Sequence, residues 1–402
     1  MKKLAIVSSY NELCGNATFS EALRRGFSRF FDVTMVAVPV ILFGQVSAQA
    51  RRLSCQVVSD MVLSLKAADY ANIQFEKGLY GRSCIDVYKR FVKLASACPR
   101  TIVTLHRYDL KKSLLTPENL KEIVNEFSLK TVWRIFRENK DAKLYEKIIK
   151  FCEKNNVGVV VHTPREKRLI SSITPGLKIW DHPISFLNQD MREAYKKNLN
   201  RKLFLEKYGF SESDIIIGIF GFISEYKGHD VLIDALKKLP KNYKLAIFGS
   251  DHPYGIKAGI RMNKYIGQLS SQIERLFYCQ PGRVVFCGAL DDSAFISSLL
   301  LCDFNVLPYF ETNQSGSGVA SLALETGRKV IMSQNFAFIE LAKYAKNAFK
   351  MFSIGSYLEL ADCILNFKDT LDDGLSEYFK KYNLDTQIDF YIKNFALLDQ
   401  SI

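Results

Sequence analysis

The sequence predicts an α/β protein made of two doubly wound parallel sheets with helices on both faces. Three observations carry this reading. Short β-branched apolar runs recur along the chain, each followed by a turn and a helical pattern. The chain has 402 residues, and at about 100–200 residues per domain that length favours two domains. Each half opens on a strand, a loop and a helix, the ligand-facing unit of such sheets.

In the first half the runs Leu4–Val7, Val33–Val40, Ala71–Phe75, Thr101–Leu105 and Val157–Val161 read as buried strands. In the second half Ile215–Phe220, Lys244–Phe248, Arg283–Phe286, Phe304–Leu307 and Lys329–Met332 read the same way. Phe19, Ala22, Leu23, Gly26, Phe27 and Phe30 share one face of the first helix, with Thr18 and Glu21 as a capping box in front. Val231, Leu232, Ala235, Leu236 and Leu239 repeat the stripe in the second half. Residues 1–185 are expected to form the first domain and 200–384 the second. Asn188–Phe210 reads as a connecting helix. A last helix, 385–402, carries Ile388, Tyr391, Ile392 and Phe395 behind Asp385 as its N-cap, and is expected to pack back on the first domain.

Composition narrows the function classes. The chain holds 55 Lys and Arg against 42 Asp and Glu, a net charge of +13, which leaves nucleic acid, anionic membrane and polyphosphate ligands to be distinguished. Nine cysteines without a C-x-x-C pair indicate a reducing compartment, with neither a disulfide framework nor a zinc site. The apolar run after Met1-Lys2-Lys3 stops at Ser8, too short for a signal sequence, and no run reaches the roughly 18 apolar residues of a membrane span. The chain is therefore expected in the cytoplasm.

Two segments could carry chemistry. Gln314-Ser315-Gly316-Ser317-Gly318 follows the strand Phe304–Leu307 and opens a helix to about Thr326. Its glycines let backbone approach a ligand, its serines add hydroxyls, and the free amides of a helix N-terminus favour an anion. A Ser/Gly turn that merely caps a helix is the competing reading. The second segment is Ile219-Phe-Gly221-Phe-Ile-Ser-Glu-Tyr-Lys227-Gly-His-Asp-Val-Leu232. It delivers Lys227 at the C-terminal end of a strand, where open α/β sheets bind ligands and a lysine can neutralise a diphosphate. A loop lysine that is simply solvated is the alternative.

Together these segments resemble the donor domain of the family 4 retaining glycosyltransferases of the GT-B fold. Asp251-His252, Val284–Gly288, Leu307-Pro-Tyr309 and Phe338–Leu341 follow in the same order as in that domain. In the first half, the segment from Gly15 and Asn16 to Ser20 resembles the acceptor-side glycine loop. Asn72–Gly78, with Glu76, and Val103–Asp109, with His106, resemble segments lining the cleft. The resemblance implies two Rossmann-like domains facing across a cleft, with acceptor on the first and nucleotide-sugar donor on the second. It implies His106 beside the transferred sugar, Lys227 and Gly221 at the donor diphosphate, and no requirement for a metal or other cofactor. No Asp-x-Asp occurs, and the five histidines lack metal-ligand spacing.

Two departures stand out. The arginine that the family often carries after the strand-end glycine is replaced by Phe222. The paired glutamates of the family fall, counting back without gaps, on Gln314 and Leu322. Glu325, one turn on, is the candidate to reach the nucleotide ribose, with a solvated helix residue as the alternative, and Glu311 precedes the loop.

The expected activity is transfer of a hexose from a nucleoside-diphosphate sugar to an acceptor hydroxyl with retention, in bacterial surface glycan or glycoconjugate synthesis. The alternative is a non-catalytic GT-B homologue that binds a nucleotide or sugar and supports an active partner. Lys89, Arg90, Lys93 and Arg100, with the lysine-rich region Leu110–Lys154, admit two readings: ordinary amphipathic helices, or a peripheral face for anionic lipid beneath a glycan or lipid-linked acceptor. No nucleic-acid motif accompanies the charge.

Overall fold

The structure, a computed structural model, describes residues 1–10, 12, 14–108, 129–251, 263–312, 314–367 and 372–399. Asp109, His252, Asn313 and the stretch 110–128 lie outside the described residues, as do the side chains of Val132, Trp133 and Ile135. The chain divides into two compact units, Met1–His182 with Ile388–Ile402, and Pro183–Gln387.

The first unit holds six parallel strands: β1 (Lys3–Ser8), β2 (Asp32–Ala37), β3 (Tyr70–Phe75), β4 (Thr101–Leu105), β5 (Gly158–Val161) and β6 (Ile179–Asp181), in the order β2-β1-β3-β4-β5-β6. Helices α1 (Gly15–Phe27), α2 (Val40–Phe43), α3 (Ala48–Lys66), α4 (Lys77–Tyr80), α5 (Cys84–Ala95), α6 (Leu129–Lys154) and α7 (Pro164–Ile173) connect them. β3 and β4 are buried at every position, the signature of a sheet covered on both faces. The order in which strands are added switches from one side of β1, at β2, to the other, at β3, so the loops after β1 and β3 meet at the switch point.

The second unit repeats the plan with β7 (Ile215–Phe220), β8 (Tyr243–Phe248), β9 (Val284–Gly288), β10 (Phe304–Leu307), β11 (Lys329–Ser333) and β12 (Lys350–Phe352) in the order β12-β11-β10-β7-β8-β9. Its helices are α8 (Gln189–Lys197), α9 (Arg201–Tyr208), α10 (His229–Leu236), α11 (Lys264–Phe277), α12 (Asp292–Leu301), α13 (Gly318–Thr326), α14 (Phe336–Tyr344), α15 (Tyr357–Leu365) and α16 (Asp372–Lys381). Here the switch lies between β7 and β10, the strands that carry the Lys227 loop and the Ser/Gly loop. Helix α17 (Leu384–Asp399) begins in this unit, and its residues from Ile388 on belong to the first.

Several local expectations are corrected. Helix α1 starts a turn earlier than predicted: the Cys14 carbonyl already accepts from the amides of Ala17 and Thr18, so Thr18 has no orphan donor to cap. Glu21 pairs instead with Arg24 and Arg25. β2 stops at Ala37, short of Pro39, which cannot donate to a ladder. The predicted connecting helix is two helices, each with its own cap, Asn188 on the Met191 amide at 3.0 Å and Asn200 on the Leu203 amide at 2.9 Å. Asn383, rather than Asp385, caps α17: its Oδ1 accepts from the Thr386 amide while Thr386 Oγ1 accepts from the Asn383 amide. The edge strands β6 and β12, three residues each, carry no apolar run long enough to predict. All nine cysteines are free thiols, and among the described residues no helix is long and apolar enough to cross a membrane.

Candidate functional site

In the second unit the site is built from the loops after β7 and β10. Gly221 leaves β7 with φ +95°, and a Cβ there would lie 2.2 Å from Lys227 Nζ and 3.6 Å from Val319 Cγ2. Glycine is therefore required twice, for the backbone and for the space that the amine occupies. Gly228, at φ +66°, lets the same loop press on β10's end, where a Cβ would meet the Pro308 carbonyl at 2.1 Å. The Phe310 amide also donates to the Tyr226 carbonyl at 2.7 Å. These contacts bring Gly221, Lys227 and the first turn of α13 together at the sheet's switch point.

Lys227 is 4% exposed. Its Nζ donates to the Phe220 carbonyl at 2.9 Å and sits 5.3 Å from the Tyr309 ring centroid. Burial disfavours the ammonium and pushes Lys227 down to about 7. The residue is thus a buried amine with one backbone partner, not the solvated loop lysine that was the alternative. Ser315 is buried, and Gln314, Gly316, Ser317 and Gly318 are half-buried. Ser317 caps α13, its Oγ accepting from the Ala320 amide at 3.3 Å. The capping reading and the anion-cradle reading are compatible here, because the cap takes the third amide of the helix while helix geometry leaves the first two without intrahelical partners.

Both acids near this loop serve the backbone. Glu325 is neither solvated nor turned to a ligand: it is fully buried, and its carboxylate accepts from the amides of Phe186, at 2.9 and 3.2 Å, and Leu187, at 3.1 Å. Burial pushes its carboxyl well above the usual range, against the pull of those amides and of Arg192. Glu311 accepts from the Phe336 amide at 2.7 Å, at the start of α14. Leu322 is buried. Positive potential at the loop comes from Lys227 and the α13 terminus, and these two carboxylates are committed elsewhere.

In the first unit, the loops after β1 and β3 meet across the switch point. Asn16 Nδ2 donates to Glu76 Oε2 at 2.6 Å, and a Cβ on Gly15 would project into open space, with nothing within 4 Å. His106 follows β4, half-buried, with Nε2 2.7 Å from Gln74 Oε1. Its Nδ1 lies 3.2 Å from Nε2 of His162, the residue that follows β5. Phe19 of α1 sets its edge against both rings, at 5.6 and 5.9 Å between centroids. The structure thus joins Asn16 to Glu76, and gives His106 two partners, Gln74 and His162, that sequence reasoning did not single out. The signal was available: β4 pairs Thr104 with Val160 of β5, and two further residues along each strand stand the two histidines. Among the described residues no group of three His, Cys, Asp or Glu side chains could hold a metal ion.

The chain matches no family model and no curated protein. Its fold does match solved structures over nearly the full length of both chains. Anabaena HepE in complex with UDP superposes with a TM-score of 0.63 at 16% identity, covering 98% of this chain and 100% of that one. Sucrose-phosphate synthase from Thermosynechococcus elongatus gives 0.66 at 14% identity, covering 99% and 100%. The UDP-forming α,α-trehalose-phosphate synthase from Burkholderia xenovorans, in complex with glucose-6-phosphate, gives 0.66 at 10% identity, covering 98% and 100%. With two six-stranded parallel sheets flanked by helices, each wound about its own switch point, the chain has the GT-B fold.

Proposed function

We propose that the protein is a glycosyltransferase that uses a nucleoside-diphosphate sugar. The observation that carries this reading is the convergence of Lys227, Gly221 and the first turn of α13 at the switch point of the second sheet. A departing diphosphate develops negative charge, and a buried lysine beside a helix N-terminus stabilises that charge more than a solvated one would. The similar folds of HepE with UDP-glucose bound and of the trehalose and sucrose phosphate synthases support a uridine diphosphate donor and a hexose. In this reading the second unit takes the donor, with Gln314 on a sugar hydroxyl and Ser315–Gly318 on the phosphates. The first unit takes the acceptor near Gly15, Asn16 and Glu76, and His106 orients the sugar. Retention of configuration, independence of metal and a glycan or lipid-linked acceptor belong to the same proposal.

The test is nucleotide release from a panel of UDP-sugars supplied with an acceptor extract. Wild-type protein is expected to release UDP from at least one donor, and Lys227→Ala to lower turnover more than tenfold, about 1.4 kcal/mol of transition-state stabilisation. Unchanged turnover in a folded variant contradicts the assignment. The absence of acids at 314 and 322 favours one other reading, a GT-B subunit that binds nucleotide and supports an active partner. UDP binding without release from any donor would select it.

A further inference from the structure

The pair His106 and His162 forms a directed chain of hydrogen bonds. Gln74 donates its amide N–H to Asn72 Oδ1, and Asn72 in turn donates to the Ile102 carbonyl and Thr104 Oγ1. This orients Gln74 Oε1 toward His106 Nε2, and an oxygen there requires Nε2 to carry the proton. Neutral His106 is then an acceptor at Nδ1, and the atom facing it is Nε2 of His162.

We infer that His162 is the positioning residue of this site: Gln74 selects the Nε2–H tautomer of His106, and the Nε2–H of His162, donated to His106 Nδ1, fixes the plane of that ring. The inference rests on the proposed role of His106 beside the sugar. His162 is well placed for the task, being 3% exposed, with its ring centroid 5.0 Å from that of His106 and its Nδ1 3.1 Å from the His182 carbonyl. The two ring protons of a neutral pair face three contacts, and with one on each Nε2 it is the contact to the His182 carbonyl, an acceptor only, that lacks a proton until His162 is charged. Among the described residues the titratable groups facing the pair are each other, with His182 beside His162; Gln74 of β3 and Phe19 of α1 face it without charge. Burial pushes His162 down to about 4 and His106 well below its ordinary value, so both rings are neutral at pH 7. Because both ring nitrogens of His106 are engaged, its orientation is set before any ligand arrives.

Nitrogen-15 histidine spectra of the full chain test this without requiring turnover. Wild type is expected to show His106 protonated at Nε2 and bare at Nδ1 at pH 7. The Nδ1–H form, or rapid exchange between the two, overturns the inference. In His162→Phe, where Gln74 still holds the proton at Nε2, the Nδ1 resonance is expected to move to that of a bare nitrogen with no donor facing it, and an unchanged His106 Nδ1 signal also overturns it. With a UDP-sugar the same variant is expected to lose at least tenfold in kcat with the donor KM within twofold. His162→Gln, whose amide can donate to Nδ1, is expected to recover kcat to within threefold of wild type. A kcat loss that His162→Gln does not recover contradicts positioning. If wild type shows the expected tautomer yet releases nucleotide from no donor, the transferase reading fails and the hydrogen-bond assignment stands. Should His162→Phe not fold, the wild-type spectrum and His162→Gln decide the matter.

Discussion

Burial of Lys227 disfavours its charge, because water cannot help to carry it there. Its folded pKa of about 7 lies below the ordinary lysine value of 10.5, so between these two values the unfolded chain binds more protons at this position than the folded one. The sign follows: burial of the charge opposes folding in full below pH 7, and that opposition is lost as pH rises toward 10.5. Urea unfolding of wild type against Lys227→Met is expected to show wild type gaining on the variant from pH 7 to pH 10. A constant difference would mean a lysine that stays charged and solvated. The sequence placed Lys227 at a strand end but could not reveal its burial, because that depends on Gly221 and Tyr309 closing around the amine. His162 was legible in principle, through the register that sets it beside His106. It was overlooked because a lone histidine after a strand is ordinary until its neighbour strand is known.

At the scale of the element, α13 explains why Glu325 misled. Periodicity identifies a solvent face only when a helix has one, and Ala320, Ser321, Leu322, Ala323, Leu324, Glu325 and Thr326 are all buried. An apolar helix with one interior carboxylate needs donors for it, and the amides of Phe186 and Leu187 supply them. Glu325→Ala therefore removes the carboxyl acceptor shared by the Phe186 and Leu187 amides, at about 1–3 kcal/mol for each bond lost. Denaturant unfolding is expected to show that loss, while UDP affinity of the folded variant stays within threefold of wild type. Full stability with lost UDP binding would make Glu325 a ligand contact after all. The start of α1 and the break between α8 and α9 were hidden for a related reason: each depends on which backbone carbonyl or asparagine reaches an orphan amide.

For the whole molecule, the parallel sheets were legible because strands buried on both faces leave uninterrupted apolar runs, as in Ile215–Phe220 and Thr101–Leu105. The strand order was not, since it is written in crossovers rather than residues. That order places the loops after β7 and β10 together in one unit and those after β1 and β3 together in the other. The net charge of +13 has a described counterpart in the first unit. A cavity of about 360 Å³ between α3 and α5 is lined by Lys89 and Lys93 with Val58 and Val92, while Arg51 there pairs with Asp86 and the buried Arg90 donates to the carbonyls of Phe43 and Tyr80. We propose that Lys89 and Lys93, over these apolar walls, contact an anionic lipid surface. The protein is expected to sediment with phosphatidylglycerol vesicles at low salt and to be released by Lys89→Glu with Lys93→Glu; equal sedimentation with neutral vesicles would contradict this.

Calorimetric titration of UDP decides whether Lys227 receives a nucleoside diphosphate. The diphosphate should bind the charged amine, so UDP affinity of wild type should fall more than tenfold from pH 7 to pH 9, the protein taking up a proton on binding at pH 9. Lys227→Met should bind UDP more weakly and with little dependence on pH across that range. Equal affinity of the two proteins, or a wild-type affinity that does not change with pH, would mean that the diphosphate does not sit on Lys227.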